Sequence, residues 1–378
     1  MIDTIILLIP KEELSYNPEL IKWELHSKTK QYEKVVRNPS KEEKSTNKYF
    51  PKITGYTRKY PSFSKKVRIE FSAPKLLYLN NLEELEDKDF PLVIKTLQER
   101  LQIMGINASL SILENASISS VHFSKNILLK DNYTVNYIIS EINKINVCQS
   151  LDLSRARFIN NGQSLYIHSD SHQFTIYDKI ADLNKNKKRA IDKDQTNYQK
   201  TLFKEFQQRK EFQEIIRFEL RFNNKKKLTK VLNDLGYKKE LTFKNMFDSK
   251  MSIDIINSYW KQIVNNNYNI FSLETTLNET LQTILFNNSN IKPKQAVYLI
   301  GLLALSKDEN GMRELRTILS KKLSPRRWYQ YNKDLQEVNK LISKNNLKNW
   351  VIQINKSFEK YEPYKIKHKN HILDALDM

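Results

Sequence analysis

Two short segments carry residue types suited to phosphodiester chemistry. In Ser164-Leu-Tyr-Ile-His-Ser-Asp-Ser-His-Gln-Phe-Thr-Ile-Tyr-Asp-Lys179, the second half alternates: Phe174 and Ile176 fall on one side, and Thr175, Tyr177 and Lys179 on the other. In Ile215-Ile-Arg-Phe-Glu-Leu-Arg-Phe222, Ile216, Phe218, Leu220 and Phe222 form an apolar side, with Arg217, Glu219 and Arg221 opposite. Period-two alternation over this length predicts two β-strands. A tyrosine can attack phosphorus, cations can hold phosphate oxygens, and a carboxylate can hold a metal ion.

Two more segments fit the same scheme. Val67-Arg-Ile-Glu-Phe-Ser72 turns Arg68 and Glu70 away from its apolar side, and Ile118-Ser-Ser-Val-His-Phe-Ser124 does the same with Ser120, His122 and Ser124. One such strand alone reads as an amphipathic strand with a solvated face. Four of them, supplying Glu70, His122, Tyr177 with Lys179, and Arg217-Glu219-Arg221, favour an active-site face on an antiparallel sheet. His168 and His172 flank the turn Ser169-Asp-Ser171 and read as turn residues.

With these segments in view, the chain resembles the phage/plasmid rolling-circle replication initiators of the gene II/X family. The matching stretches are Met1–Pro10, Ser72–Asn81, the strand ending at His122, the Tyr177-Asp-Lys179 strand and Ile216–Arg221, in that order over residues 1–235. The resemblance implies that Tyr177 is the nicking nucleophile with Lys179 as its companion, and that Glu219 belongs to the catalytic strand. Lys75, in the Ser72–Asn81 stretch, joins Arg217 and Arg221 as a candidate DNA contact. The chain departs from the family where Arg-x-Asp is common, since it has Ser120-Val121-His122. His122 then stands in place of a carboxylate ligand, which imidazole can do in a mixed His/carboxylate site. The expected ligands are His122 and Glu219, with Glu70 as a third candidate, for Mg²⁺ or Mn²⁺.

Composition agrees with a polyanion partner. Lys plus Arg number 63 against 43 Asp plus Glu, a net charge of +20, which favours nucleic acid. Part of that excess reflects an Asn-, Ile- and Lys-rich, Gly-poor composition of the kind an AT-rich gene imposes. A single cysteine, Cys148, excludes an internal disulfide and a cysteine-cluster metal site. The apolar run Ile5–Ile9 is too short for a signal peptide or membrane span. A cytoplasmic location in a bacterial host cell and no membrane partner are the expectation.

The elements that must position these residues can be read coarsely. Residues 2–9 predict a first strand. Residues 26–66 interleave cations with Tyr32, Tyr49, Phe50, Tyr56, Tyr60 and Phe63, and read as a loop or loose hairpin or as a path for single-stranded DNA. Helices are predicted at 88–104 and 132–146 from their apolar stripes. The charged stretch 183–213 reads as a DNA clamp beside the tyrosine or as a solvated connection. A short helix from Leu228 stops at Gly236, and 293–343 contains three helices: Pro293–Ser306, Gly311–Lys321 and Pro325–Ile342. Arg326, Arg327, Trp328, Tyr329 and Tyr331 crowd the start of the third, which suits a helix-turn-helix recognition helix or the end of an ordinary bundle.

The expected fold is therefore α+β: an antiparallel sheet with helices packed on one face, of the relaxase-like nicking type, followed by a mainly α-helical C-terminal region. The expected domains are a nicking unit at 1–235, a helical connector at 236–290, a helix-turn-helix region at 291–345 and a polar tail at 346–378. The expected function is metal-dependent, site-specific nicking of one origin strand through a 5′-phosphotyrosine intermediate, with later strand rejoining. The partners are double- and single-stranded origin DNA together with the host helicase and polymerase. The alternatives are a non-catalytic DNA-binding regulator of the same fold and an RNA-binding module.

Overall fold

The computed structural model describes residues 1–22, 24–25, 32–46, 48–58, 66–145, 151, 155–159, 163–183, 201, 213–273, 276–308, 311–341 and 347–366. Its strands are β1 (Ile2–Pro10), β2 (Ser15–Tyr16), β3 (Glu24–Leu25), β4 (Tyr32–Arg37), β5 (Lys52–Arg58), β6 (Lys66–Ser72), β7 (Ile106–Asn107), β8 (Ser117–Leu128), β9 (Arg155–Ile159), β10 (Ser164–His168), β11 (His172–Asp178) and β12 (Ile215–Phe222). Ten of them form one sheet in the order β3-β4-β5-β6-β1-β8-β12-β11-β10-β9, and every neighbouring pair is antiparallel. The α+β class with an antiparallel sheet is thus as expected from the alternation.

Register decides which side chains share a face, because directly opposed residues point the same way. His122 lies opposite Arg221, Ser124 opposite Glu219 and Asn126 opposite Arg217; Glu219 in turn faces Thr175, and Arg217 faces Tyr177. The four polar strand sides therefore form one surface. The other surface, with Phe71, Val121, Phe123, Phe174, Ile176, Phe218 and Leu220 fully buried, packs into the main core. Helices Phe90–Ile103, Val135–Asn143 and Ser249–Asn266 lie against it through Val93, Leu97, Ile138, Ile142, Ile256 and Trp260.

Three regions differ from the sequence expectation. Residues 32–37 and 52–58, within the stretch read as a loop or loose hairpin or as a path for single-stranded DNA, pair antiparallel, so the hairpin is there but built into the main sheet, with Val35 and Ile53 buried. Phe50 is also buried, and the Tyr49 hydroxyl accepts a hydrogen bond from the Ser72 amide at 3.0 Å. These two aromatics hold the fold and are not laid out for base stacking. Tyr60 and Phe63 lie outside the described residues, as do Cys148 and nearly all of the charged stretch at 183–213.

The second difference is in the expected connector. Phe243, Met246, Met251, Ile256, Trp260 and Phe271, all within 236–290, belong to the main core. The third is in the expected polar tail. Helix Asn349–Glu359 inserts Trp350, Val351, Ile354 and Phe358 into the same core, and Trp260 Nε1 donates to Asn355 Oδ1 at 2.7 Å. Four apolar residues spaced 1, 3 and 4 apart mark an amphipathic helix that overall polarity concealed.

Between these two core segments sits a separate unit. Helices Leu277–Asn287, Pro293–Lys307, Gly311–Ser320 and Pro325–Leu341 pack around Ile284, Ala296, Leu299, Leu303 and Val338, and around Leu302, Met312, Leu315 and Leu335. Neither cluster joins the main core. The two chain connections leave together: Ser272 and Leu347 form a β-bridge, and the Lys348 amide donates to the Phe271 carbonyl at 2.8 Å. The helical unit is therefore an insertion into the α/β body. It touches that body again where the Met312 amide donates to the Lys144 carbonyl at 2.9 Å and Arg313 Nη1 to Asn143 Oδ1 at 3.0 Å.

This arrangement has a measurable consequence. Phe358→Ala should cost about 3–5 kcal/mol, the usual loss for a buried phenylalanine. Truncation after residue 290 should unfold the body, whereas replacing 274–345 by a short Gly/Ser linker should leave one cooperative transition. Urea unfolding followed by tryptophan fluorescence distinguishes these outcomes, and a natively stable 1–290 fragment would refute the assignment.

Candidate metal and tyrosine centre

The polar face of the sheet carries a compact charged cluster. Ligand atoms of Asp3, His122 and Glu219 all lie within 4.8 Å of one another. His122 Nδ1 is 3.6 Å from Glu219 Oε1. The other carboxylate oxygen, Oε2, accepts a hydrogen bond from the Tyr177 hydroxyl at 3.2 Å. His122, Glu219 and Tyr177, chosen from the sequence, are thus brought together from three different strands.

Asp3 was not foreseen. It is the one carboxylate in an apolar first strand, and its placement depends on a break in register. Ile2 pairs with Phe123 and Thr4 with His122, so Asp3 is the extra residue of a bulge. A bulge re-aims a side chain that regular alternation would send elsewhere. Here it turns Asp3 toward the polar face, where Asp3 Oδ1 stands 2.7 Å from Arg217 Nη2. That oxygen is buried and has no aligned hydrogen-bond donor among the described residues, while Oδ2 accepts from the Thr4 hydroxyl at 3.0 Å.

Asn81 was not singled out either, although it closes the Ser72–Asn81 stretch that carries part of the resemblance. Its carbonyl accepts from Arg217 Nη1 at 2.8 Å and its Oδ1 from Lys179 Nζ at 3.0 Å. Strand β11 ends at Asp178, whose carboxylate accepts from the Ala181 amide at 2.8 Å, so Lys179 opens the short helix Lys179–Leu183. Its ammonium is turned inward and the residue is 1 % exposed. Leu79, Leu82, Ile180, Leu183, Ile215, Tyr364 and Ile366 close a small apolar cluster over this end of the sheet.

The electrostatics of the cluster follow from burial against ion pairing. Burial opposes ionisation of Asp3, but Arg217, with Lys179 and His122 behind it, holds the Asp3 carboxyl well below the usual range. Burial opposes ionisation of Glu219 too; Arg221, then Arg217 and His122, outweigh it and keep Glu219 ionised. Burial lowers the pKa of His122 against the pull of Glu219, leaving the imidazole neutral and able to ligate. Tyr177 is pushed well above its ordinary value, mainly by burial, with Arg217 opposing. Lys179 is pushed down to about 7 by burial, aided by Arg217.

Several predicted DNA contacts stand elsewhere. Arg217 is buried, and its guanidinium is spent on Asp3, Asn81 and a longer 3.9 Å approach to Glu219. It cannot hold a DNA backbone from there; it holds Asp3. Arg221 is partly exposed and binds Glu219 Oε1 through Nε at 2.7 Å. Lys75 is buried on helix Ala73–Tyr78, 5.7 Å from the centre of the Tyr49 ring. Glu70 pairs with Arg68 at 3.0 Å on β6 and is not in the three-ligand group. Arg326 and Arg327 are exposed at the start of Pro325–Leu341, in the inserted helical unit. His172 stacks on Phe222 and meets the Ser169 and Ser171 hydroxyls, a turn role as read from the sequence.

Asp3, His122 and Glu219 fit a divalent cation. Two carboxylates and one neutral imidazole are a donor set for Mn²⁺ or Mg²⁺, and the unaligned Asp3 Oδ1 is a buried acceptor of the kind an ion satisfies. Compared with known proteins, the chain matches no family model, no curated protein and no solved structure. No helix among the described residues is long and apolar enough to cross a membrane.

Two outcomes follow. Mn²⁺ should raise the melting temperature of the wild-type chain, and Asp3→Asn or Glu219→Gln should abolish that rise; an unchanged wild-type melt at millimolar Mn²⁺ would remove the site. The second concerns pH in the presence of EDTA. An unfolded lysine keeps its proton to about 10.4, whereas folded Lys179 loses it near 7. The unfolded state then binds more protons, so stability should rise between pH 7 and 10 by up to ~1.4 kcal/mol per unit. Lys179→Met should flatten that rise in urea titrations, and an equal slope in both proteins would contradict the burial of Lys179.

Proposed function

We propose that this chain is a metal-dependent DNA nicking and strand-transfer enzyme of the rolling-circle initiator kind, with Tyr177 as nucleophile. The observation that carries the proposal is the hydrogen bond from the Tyr177 hydroxyl to Glu219 inside the Asp3–His122–Glu219 cluster. The resemblance in motif order over residues 1–235 points the same way. So does the basic side of β5 and β6, where Lys52, Lys66 and Arg68 share the face of His122 through the pairing of Glu70 with Ile6 and Ile6 with Ser120.

The roles divide between the two oxygens of Glu219. Oε1, beside His122, belongs to the cation site, and Oε2 receives the Tyr177 proton contact. A bound cation would polarise the scissile phosphate and offset charge developing on it. Tyr177 Oη attacks phosphorus in line as the P–O3′ bond breaks, giving a 5′-phosphotyrosine and a free 3′-hydroxyl. The phenol proton passes toward Glu219, and the departing 3′-oxygen takes up a proton from solvent. A phenol titrates near 10 and burial raises Tyr177 further, so the unassisted hydroxyl is a poor nucleophile and the alignment by Glu219 matters. Tyr177 is 8 % exposed, so substrate entry requires the residues packed around it to give way.

Duplex recognition would fall to the inserted helical unit. Its helices Gly311–Ser320 and Pro325–Leu341 are joined by a short turn, and exposed Lys321, Lys322, Arg326 and Arg327 cluster there. A second reading, a DNA-binding protein without nicking activity, is favoured by one observation: Arg221 already occupies Glu219 Oε1.

Tyr177→Phe should fold and bind DNA as wild type does, yet form no covalent adduct with labelled single-stranded origin oligonucleotides in Mn²⁺. An adduct surviving in this variant would move the nucleophile, with Tyr166 on β10 the next to test. Absence of any adduct in the wild-type chain, across a library of origins, would favour the non-catalytic reading.

A further inference from the structure

Helix Pro293–Lys307 is apolar on two sides. Ala296, Leu299, Ile300 and Leu303 pack into the inserted unit. On the outward side, Val297 is 61 % and Leu305 51 % exposed, with exposed Gly301 midway between them. A spacing of four residues places the three in one stripe. A helix apolar all round is ordinarily covered all round.

Gly301 is the informative residue. Glycine inside a helix lowers helix stability relative to alanine because it loses more backbone freedom. Gly301 is not among the residues of positive φ, and a Cβ added there would meet nothing within 4 Å among the described residues. Neither backbone conformation nor packing within the chain calls for a missing side chain. A glycine there leaves room for another backbone to approach closely.

The sequence of the stripe says which backbone. It is self-complementary about Gly301 when a second identical helix is laid antiparallel on a two-fold axis. Val297 then meets the partner's Leu305, while Tyr298 beside the stripe is turned to helix Pro325–Leu341, where its hydroxyl donates to Asp334 Oδ2 at 2.9 Å. Lys294, seven residues before Gly301, meets the partner's Asp308, seven residues after it; both are exposed. A parallel arrangement would oppose Lys294 to Lys294 and Asp308 to Asp308. Only the antiparallel pairing brings opposite charges together, and a two-fold contact of this kind closes at two copies.

We propose that the outward face of helix Pro293–Lys307 is a homodimer surface, crossing at Gly301 and bounded by two Lys294–Asp308 ion pairs. One helix pair buries less than the ~800 Å² per partner of a standard interface, so the dimer is a weak one.

Sedimentation velocity of the nuclease-treated full chain tests this. Wild type should shift from monomer to dimer over ~1–100 µM. Val297→Glu with Leu305→Glu should remain monomeric, and Gly301→Leu should weaken the dimer while leaving thermal stability intact or raised. Lys294→Asp and Asp308→Lys should each raise the dissociation constant about tenfold or more, and the two together in one chain should restore it. Restoration by the double reversal is specific to an antiparallel contact between identical faces. A wild-type monomer throughout the range, a dimer that persists in the Val297/Leu305 variant, or a double reversal no better than either single change would each overturn the proposal.

Discussion

Arg217 is the residue on which the polar face depends. Its side chain is buried in the middle of β12, an environment that a lone cation enters only at a cost of several kcal/mol. Asp3 supplies the counter-charge, and the Asn81 carbonyl accepts a hydrogen bond from the guanidinium. Through these contacts one side chain ties the bulged first strand, the central strand and the loop after helix Ala73–Tyr78 to a single point. Removing either charge would strand the other, which typically costs 3–5 kcal/mol. The same contact aims Asp3 at His122 and Glu219, so support of the fold and assembly of the Asp3–His122–Glu219 cluster are one interaction.

The charges around Glu219 compete. Arg221 and His122 both approach Oε1, while Tyr177 and, more distantly, Arg217 approach Oε2. Without an ion, Arg221 offsets the two carboxylates. With one, the partly exposed Arg221 is the side chain that can swing away, because Arg217 is locked by Asp3 and Asn81. A partly exposed cation beside a locked one is what the proposed exchange of an internal counter-ion for a metal ion would need. His122 in place of the expected carboxylate also fits this balance. With Asp3 and Glu219 already ionised and buried together, a third carboxylate would add a like charge, whereas a neutral imidazole adds a donor at no such cost.

The architecture separates this centre from the inserted helical unit. The α/β body holds the cluster, and its core is completed by Phe243–Phe271 and by Trp350–Phe358, which lie on either side of the helical insertion in sequence. The insertion keeps its own small cores and returns the chain next to where it left. Such a unit can change its exposed residues without disturbing the sheet. That explains how Arg326 and Arg327, and on another helix Val297 and Leu305, can be displayed far from the demands of the main core.

Local pattern was enough for much of this chain. Alternation in 172–178 and 215–222 identified the strands and the side on which Tyr177 and Glu219 lie, because side-chain direction in a strand has a fixed period. The helices at 293–307, 311–320 and 325–341 were legible to within a residue or two, since Pro293, Gly311 and Pro325 mark their starts. What tertiary structure alone decided were the long-range facts. Asp3 reaches the site through a bulge that exists only against β8, and Asn81 acts from a loop, through its carbonyl on Arg217 and its side-chain oxygen on Lys179, both distant in sequence. Arg217 and Lys75 looked like surface cations until the elements packed over them removed them from water. The tail helix, polar overall, became core once the sheet offered a surface for its four apolar residues. Periodicity reports which way a side chain points; what it meets there depends on segments hundreds of residues away.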